Sequence, residues 1–307
     1  MEMTGGGGVM KKAGMILEGG GQRGIFTSGV LDYLMRKKIV VPYVIGVSAG
    51  ACNAVDYVSG QILRTKECML DAQLDHELYG VRTMMKTRYF MNMDLIFDQF
   101  PNHDYPFDFK SYVKSPTRCL LTTTNCLTGR AEFIEEYRDQ KRMMAACRAS
   151  SSLPFVSPIV EVDGIPMLDG GIADSVPIQK AIADGFDYNI VILTRGKGYY
   201  KKEGASTVAE LARIHYRKYP MLARAIMRRA HIYNREMDLI ERLEKQGRVF
   251  VIRPEMPCVS RTERDLEKLE DFYWHGYEMG EKLYPALKEW MAQREECVSR
   301  KRMLMHR

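Results

Sequence analysis

Two strand–turn–helix units follow one another within the first 60 residues, and both turns are rich in glycine. A short apolar run at 13–18 leads into Gly19–Gly24, after which apolar residues recur at helical spacing to about residue 38. A second run, 43–46, leads into a helix of small residues at 48–59. Strands that alternate with helices build a parallel sheet covered on both faces. The sequence therefore predicts an α/β fold with a mostly parallel central sheet and helices on both faces.

The rest of the chain continues this pattern less regularly. Further strands are predicted at 117–124, 131–134, 159–162, 189–194 and 248–253, and helices at 138–148 and about 262–294. Residues 61–116 are irregular and rich in Met, Tyr and Phe, and 79–109 are a candidate lid or plain core filler. We expect one α/β domain, divided into a flexible leader (1–12), a catalytic core (13–195), a basic helical insert (196–247) that Pro220 splits into two helices, and a last strand with C-terminal helices (248–307).

Composition excludes several classes of protein. Hydrophobic residues make up 46% and charged residues 27%, which is ordinary globular usage and argues against a disordered or fibrous chain. No apolar run approaches the ~18 residues that span a bilayer, and the stretch after Lys12 is too short for a signal peptide. The seven cysteines are scattered without a C-x-x-C pair, which argues against a disulfide framework or a zinc site. We expect a reduced, cytoplasmic setting and no metal or cofactor.

The second turn, Gly46-Val47-Ser48-Ala49-Gly50, matches G-x-S-x-G. A strand that turns abruptly into a helix strains the backbone at the serine, and the flanking glycines relieve the crowding. The serine hydroxyl then stands clear of the sheet at the positive end of the helix. Chance supplies the pattern in roughly one chain of this length in ten, so a plain turn is the alternative to a nucleophile.

The first turn, Gly19-Gly20-Gly21-Gln22-Arg23-Gly24, allows backbone N–H groups to converge on one point. It fits the dinucleotide pattern G-x-G-x-x-G, but that site needs an acidic residue at the end of the next strand, where this chain has the serine turn. An oxyanion hole is the second interpretation, and a tight glycine turn is the third.

A third motif, Asp169-Gly170-Gly171, follows an apolar pair. Asp-Gly is a common turn, but an aspartate at a strand end beside two glycines can also approach another backbone closely and accept a serine proton. A histidine-assisted triad is the alternative, because His215, His231 and His275 all follow Asp169 in the chain order Ser, Asp, His. The first two of these histidines lie in the basic insert.

Together the three motifs, with Ser150-Ser151-Ser152-Leu153-Pro154 ahead of the aspartate, resemble the patatin-like phospholipase family from about residue 13 to about residue 195. The resemblance implies a Ser–Asp dyad, with Ser48 as nucleophile and Asp169 as general base. It places the oxyanion hole in the Gly19–Gly24 loop with the Ala49 N–H, where the role of Arg23 is to hold the loop or to screen a phosphate. It also implies hydrolysis of a lipid acyl ester, of phospholipase A or lysophospholipase type, through an acyl-enzyme. The alternatives are a catalytically idle lipid- or acyl-binding protein on the same fold and a hydrolase of small esters.

Residues 207–235 hold seven basic residues against one acid, Glu210, with apolar residues between them. One interpretation is a basic amphipathic helix that lies on anionic lipid, which would place the protein peripherally at a membrane. The other is a solvated helix face packed on the domain. Nucleic acid is not an expected partner, because no recognition module appears. The sequence does not indicate an oligomeric state.

Overall fold

The computed structural model describes residues 13–74, 83–85, 89, 91–202 and 206–305. Within these residues eight strands form one sheet: β1 (Ala13–Leu17), β2 (Tyr43–Val47), β3 (Arg118–Asn125), β4 (Ala131–Ile134), β5 (Val160–Val162), β6 (Ile165–Asp169), β7 (Tyr188–Ile192) and β8 (Val249–Ile252). The strands predicted from apolar runs are confirmed to within one or two residues at each end.

The α-helices are α1 (Gly24–Arg36), α2 (Ala49–Ser59), α3 (Arg64–Leu74), α4 (Phe109–Lys114), α5 (Gln140–Ser151), α6 (Ile178–Ala183), α7 (Ser206–His215), α8 (Pro220–Lys245) and α9 (Leu266–Met305). The predicted break at Pro220 is confirmed, because this proline opens α8, where its missing N–H costs nothing. The stretch 61–116 is more regular than predicted, since it holds α3, a π-helix (Leu95–Asp104) and α4. Helix α3 escaped prediction because it buries little besides Thr65 and Ala72, which leaves no clear apolar periodicity.

The sheet runs in the order β5-β6-β3-β2-β1-β7-β8, with β4 also paired to β3. Strands β3, β2, β1, β7 and β8 are parallel, whereas β4 and β6 are antiparallel to β3 and β5 is antiparallel to β6. The prediction of a mostly parallel sheet is therefore confirmed. Its parallel strands place the chain segments that follow β1, β2 and β7 at one edge of the sheet.

Strands β2 and β6 share one side of β3. Leu121 and Thr122 pair with β2 and β4, and Thr123 and Thr124 pair with β4 and β6. A strand has only two sides, so β4 occupies one of them and β2 and β6 follow each other along the opposite one. Because β2 and β6 run in opposite directions, the carboxyl ends of both strands meet beside Thr122 and Thr123.

Helices cover both faces of the sheet, as predicted. Met15 and Leu17 of β1 point into a core shared with α1, α2, α5 and α9, whereas Ile16 points into a second core shared with α6 and α8. This alternation follows from the two-residue period of a strand. The fold class predicted from the sequence is confirmed.

Helices α1 and α9 make the most extensive helix–helix contact in the described chain. They cross where Gly29 faces the Tyr273 carbonyl oxygen and Gly276 faces the Phe26 carbonyl oxygen; in each case an added Cβ would lie 2.1 Å from that oxygen. Helix α9 is thus part of the same core as the first strands. Among the described residues, no helix carries an apolar stretch long enough to cross a bilayer.

Candidate active site

Ser48 occupies the sharp turn between β2 and α2. Its φ of 56° lies in the left-handed region, which a non-glycine residue adopts only where the surrounding structure holds it. The glycines on either side allow the turn, because a Cβ on Gly46 would lie 2.2 Å from the Gly50 carbonyl oxygen and a Cβ on Gly50 would lie 2.4 Å from the Leu17 carbonyl oxygen. The strained elbow predicted from G-x-S-x-G is present, and Ser48 is 8% exposed.

Two hydrogen bonds fix the elbow to the neighbouring strand. The Ser48 N–H donates to Ser150 Oγ at 2.8 Å, and the Ser150 hydroxyl donates to the Thr122 carbonyl at 2.6 Å. Ser150 ends up here because α5, which carries it, packs against β3 and β6. Ser150, in the serine-rich stretch ahead of the aspartate motif, therefore links the elbow to β3.

The Gly19–Gly24 loop lies directly beside Ser48. A Cβ on Gly19 would stand 3.0 Å from the Ser48 Cβ, and a Cβ on Gly24 would stand 2.6 Å from the Ala49 Cβ. Gly21 has a φ of +58°, and the next residue, Gln22, donates its N–H to the Arg261 carbonyl at 3.0 Å. The loop is thus clamped by a segment far along the chain, and the Gln22 N–H is already engaged.

Asp169 ends β6 and is buried. Its Oδ1 accepts the Gly171 N–H at 2.7 Å, its own N–H donates to the Ser152 carbonyl, and its carbonyl accepts the Thr124 hydroxyl. The other carboxylate oxygen, Oδ2, accepts no hydrogen bond from the described residues. Gly170 allows the close approach to β3, since a Cβ there would lie 2.2 Å from the Thr122 carbonyl oxygen.

Ser48 and Asp169 line one small cavity. Strand pairing explains this, because Val47 lies opposite Thr122 while Asp169 lies opposite Thr123. No hydrogen bond joins the Ser48 hydroxyl to Asp169 in the structure. Histidine is absent from the described lining of either cavity that reaches Ser48, and His275 instead accepts backbone N–H groups of Glu255 and Met256.

An apolar cavity of about 230 Å³ opens on one side of Ser48. It is lined mainly by Val, Leu, Ile, Met, Phe and Cys side chains, and it ends near the buried ion pair between Arg64 and Asp56. Met91, Ile96 and Phe97 contribute to its wall, and they belong to the segment predicted as a lid or core filler. Part of that segment, including residues 79–82 and 86–88, lies outside the described residues, so the lid stays a prediction.

A second, smaller cavity of about 30 Å³ opens on the other side of Ser48 and is strongly cationic. Two carboxylates, Glu18 and Asp169, line it together with five basic side chains: Arg23, Arg195, Lys201, Arg229 and Arg261. Ser48, Gly21, Leu153 and Arg261 border both cavities and form the wall between them. The serine thus lies at a boundary between an apolar and a cationic compartment.

The crowding of these cations changes their acid–base behaviour. Burial, together with Arg229 and Arg261, lowers the pKa of Lys201 to about 7. Burial, together with Arg195 and Arg261, lowers the pKa of Arg23 to about 10. Burial also lowers the pKa of Arg229, whose Nε donates to the Gly171 carbonyl at 2.6 Å. This last contact ties α8 to the aspartate motif.

Four of the five basic residues were not predicted as part of the site. Arg195 could have been found, because it lies three residues beyond the end of a parallel strand whose carboxyl end lies at the same edge as Ser48. Arg229 was counted in the basic stretch 207–235, but it turns inward while its neighbour Arg228 is exposed. Lys201 and Arg261 carry no local signal in the sequence.

The fold and the site define an α/β protein with a serine elbow at the carboxyl edge of a mostly parallel sheet. A model of the patatin-like phospholipase family matches residues 15–182, more than half of the chain. The chain belongs to the patatin-like phospholipase family. A second model, a domain of unknown function (DUF6363), matches residues 219–292, from the start of α8 through β8 into α9.

Two further proteins are similar to the chain. The uncharacterized protein YjjU of Escherichia coli (strain K12) is 26% identical over 189 residues, which cover 59% of this chain and 51% of that protein. The chain thus spans about half the length of this curated relative. The crystal structure of VipD from Legionella pneumophila matches with a TM-score of 0.49 at 14% identity, over 90% of this chain and 67% of that one.

Proposed function

We propose that this protein is a serine acyl hydrolase that cleaves lipid acyl esters, of phospholipase A or lysophospholipase type, with Ser48 as nucleophile and Asp169 as general base. The observation that carries the proposal is the position of Ser48 between an apolar cavity and a polar cavity that also contains Asp169. An acyl chain fits the first compartment, and the polar part of a lipid fits the second. Membership of the patatin-like phospholipase family supports lipid acyl hydrolysis in general terms.

The proposed reaction begins with attack of the Ser48 oxygen on the ester carbonyl carbon. The serine proton passes to Asp169 Oδ2, while Oδ1 stays bonded to the Gly171 N–H and holds the carboxylate in place. The alcohol leaves with that proton, and an acyl-enzyme remains. Water then attacks the acyl-enzyme, gives a proton to Asp169, and the fatty acid leaves as Ser48 regains its hydrogen.

The negative charge that develops on the carbonyl oxygen needs backbone donors beside Ser48. The predicted donors are the N–H groups of Gly20, Gly21 and Gln22 together with Ala49. The Gln22 N–H is bonded to the Arg261 carbonyl, so we assign the role to Gly20 and Gly21 with Ala49 at the start of α2. Losing one such donor typically costs about 3 kcal/mol in the barrier.

Hydrolysis of phospholipid and of a fluorescent acyl ester by Ser48→Ala and Asp169→Asn tests the proposal. Both variants are expected to fold and to lose about 10³-fold or more in turnover. A serine-reactive phosphonate probe should label the wild type and not Ser48→Ala. The exposed Asp271→Asn, which also removes one carboxylate, is the matched control and should keep wild-type rates.

Two results would contradict the assignment. Near-wild-type turnover in Asp169→Asn would rule out Asp169 as the general base. A folded wild type that binds lipid, cleaves no ester and resists the probe would favour an idle lipid-binding protein.

We also propose that α7 rests on an anionic membrane surface. Its exposed face is apolar, because Val208, Leu211 and Ile214 recur every three residues and are 43%, 51% and 67% exposed. Exposed basic side chains lie on α7 and in the segments that follow it: Arg213, Arg217, Lys218, Arg224 and Arg228. Tyr216 of the adjoining turn accepts the Phe155 N–H, two residues from Leu153 in the cavity wall. A docked α7 would therefore lie close in the chain to a residue that contacts the cavity wall segment.

A further inference from the structure

The five basic side chains of the cationic cavity form no ion pair with any residue that the structure describes. Within the described part of the chain, none of them has a carboxylate oxygen within 4.0 Å, although Glu18 and Asp169 line the same cavity. Glu18 is instead engaged by the N–H and hydroxyl of Thr194. Arg23 is 4% exposed, and its Nε has no hydrogen-bond partner among the described residues.

Such an arrangement of cations is costly. Like charges repel, and an unpaired buried polar group loses its hydration without compensation. Lys201 Nζ lies 3.2 Å from Ser175 Oγ and 3.7 Å from the centre of the Tyr233 ring, so its nearest contacts are a hydroxyl group and an aromatic ring rather than a carboxylate. An oxyanion in this cavity would accept hydrogen bonds from several cations at once and would relieve their repulsion.

We propose that this cavity binds the phosphate of the substrate's head group, and that the enzyme therefore prefers anionic phospholipids to zwitterionic and uncharged lipids. The inference rests on the proposed acyl hydrolase function and specifies its substrate class. The phosphate of a glycerophospholipid is a few bonds from its ester carbonyl. One lipid can thus fill the apolar cavity, present its ester at Ser48 and place its phosphate among the cations.

The charge balance explains why an anionic head group is preferred. Five cations against two carboxylates leave an excess of positive charge, which a phosphate offsets. The ammonium group of choline or ethanolamine would bring a further cation to the same entrance and oppose that gain. A phosphomonoester with two negative charges, as in phosphatidic acid, complements the cavity best.

The test compares kcat/KM on four lipids with identical acyl chains in uncharged detergent micelles: phosphatidic acid, phosphatidylglycerol, phosphatidylcholine and diacylglycerol. The wild type should prefer the two anionic lipids by about tenfold or more, the value of one charge-assisted contact. Lys201→Met should lose about tenfold more kcat/KM on phosphatidic acid than on diacylglycerol. Its neighbour Lys202→Met, which removes the same charge from an exposed position, should behave as the wild type.

Inorganic phosphate separates a lipid head group from a free anion. If phosphate inhibits diacylglycerol cleavage through Lys201 but the four lipids are cleaved equally, the cavity binds a free anion and the head-group inference is wrong. Equal rates on all lipids without such inhibition also overturn it, while the hydrolase proposal stands.

Failure of the proposed function gives a different result. If no lipid is cleaved, the hydrolase proposal fails, and equilibrium binding of the same micelles decides the inference. A preference for phosphatidic acid that disappears in Lys201→Met would support it, and equal binding of all four micelles would refute it.

Discussion

Lys201 is a basic group of the cationic cavity whose charge changes near neutral pH. With its pKa lowered to about 7, it is protonated below pH 6 and largely neutral above pH 8. Sulfate keeps its charge throughout this range, so it reports on the protein alone. We predict that sulfate inhibits ester hydrolysis several-fold more weakly at pH 8 than at pH 6, measured as the inhibition constant with an uncharged ester.

Other groups near Lys201 define the control. Arg23, Arg195, Arg229 and Arg261 line the cavity with Lys201, and so do Glu18 and Asp169. Behind it, burial raises the pKa of Asp174 to about 6 and that of its partner Glu236 well above its usual range. As pH rises, ionisation of Asp174 also makes the site less positive, which adds to the same trend. Lys201→Met should retain only that smaller part, and a pH-independent constant in the wild type would contradict the lowered pKa.

Individual site residues differed in how far the sequence could identify them. Ser48 and Asp169 stand in motifs whose neighbours are close in sequence, so the glycines that permit a strained turn or a close approach are visible beside them. Lys201 and Arg229 reach the cavity from a loop and a long helix whose orientation depends on tertiary packing. A basic residue that turns inward looks the same in sequence as its exposed neighbour, as Arg229 and Arg228 illustrate.

The crossing of α1 and α9 depends on one glycine from each helix. We predict that Gly276→Ala destabilises the protein by about 2 kcal/mol or more, since the new methyl would lie 2.1 Å from a backbone oxygen of α1 and only separation of the helices could relieve it. The gain of about 1 kcal/mol in helix propensity does not offset this. Urea unfolding followed by circular dichroism measures the difference.

Gly280→Ala is the matched control on the same helix. Its Cβ would lie 3.1 Å from the Tyr33 Cβ, a contact that a shift of a few tenths of an ångström relieves. We expect a smaller loss, or none, because propensity opposes the strain. If Gly276→Ala fails to accumulate as folded protein while Gly280→Ala does, the prediction still holds. Equal stability of Gly276→Ala and the wild type would show that the crossing tolerates the methyl.

Element types were more predictable than element contacts. Apolar runs bounded by glycine and proline identified β1, β2 and β7, because a fully buried parallel strand is apolar on both faces. Nothing in the local sequence indicates that β6 pairs with β3, runs antiparallel to it and lies on the same side of β3 as β2. Yet this strand pairing places Asp169 and Ser48 in one cavity. The motifs therefore predicted which residues form the site, whereas the strand pairing that joins them is seen only in the structure.

At the scale of the whole molecule, the chain beyond the matched region 15–182 completes the surroundings of Ser48. The hydroxyl of Tyr216, directly after α7, accepts the N–H of Phe155, which lies two residues from Leu153 in the wall between the two cavities. Arg229 of α8 and Arg261 line the cationic cavity. Tyr216, Arg229 and Arg261 all follow the matched region, so the family motifs alone do not build the site.

Docking through α7 makes a prediction about vesicle binding. Changing Leu211 and Ile214 together to aspartate should weaken sedimentation with phosphatidylglycerol-containing vesicles by at least about tenfold, because two apolar anchors become charges that the lipid repels. Hydrolysis of a water-soluble ester should be unchanged.

Met256→Asp, which adds a charge at another exposed apolar side chain (37% exposed), should bind vesicles like the wild type. Binding to phosphatidylcholine vesicles should be weaker from the start, and 0.5 M salt, roughly halving the screening length, should lower the anionic binding. Vesicle binding that survives the double change would place the membrane contact elsewhere on the molecule.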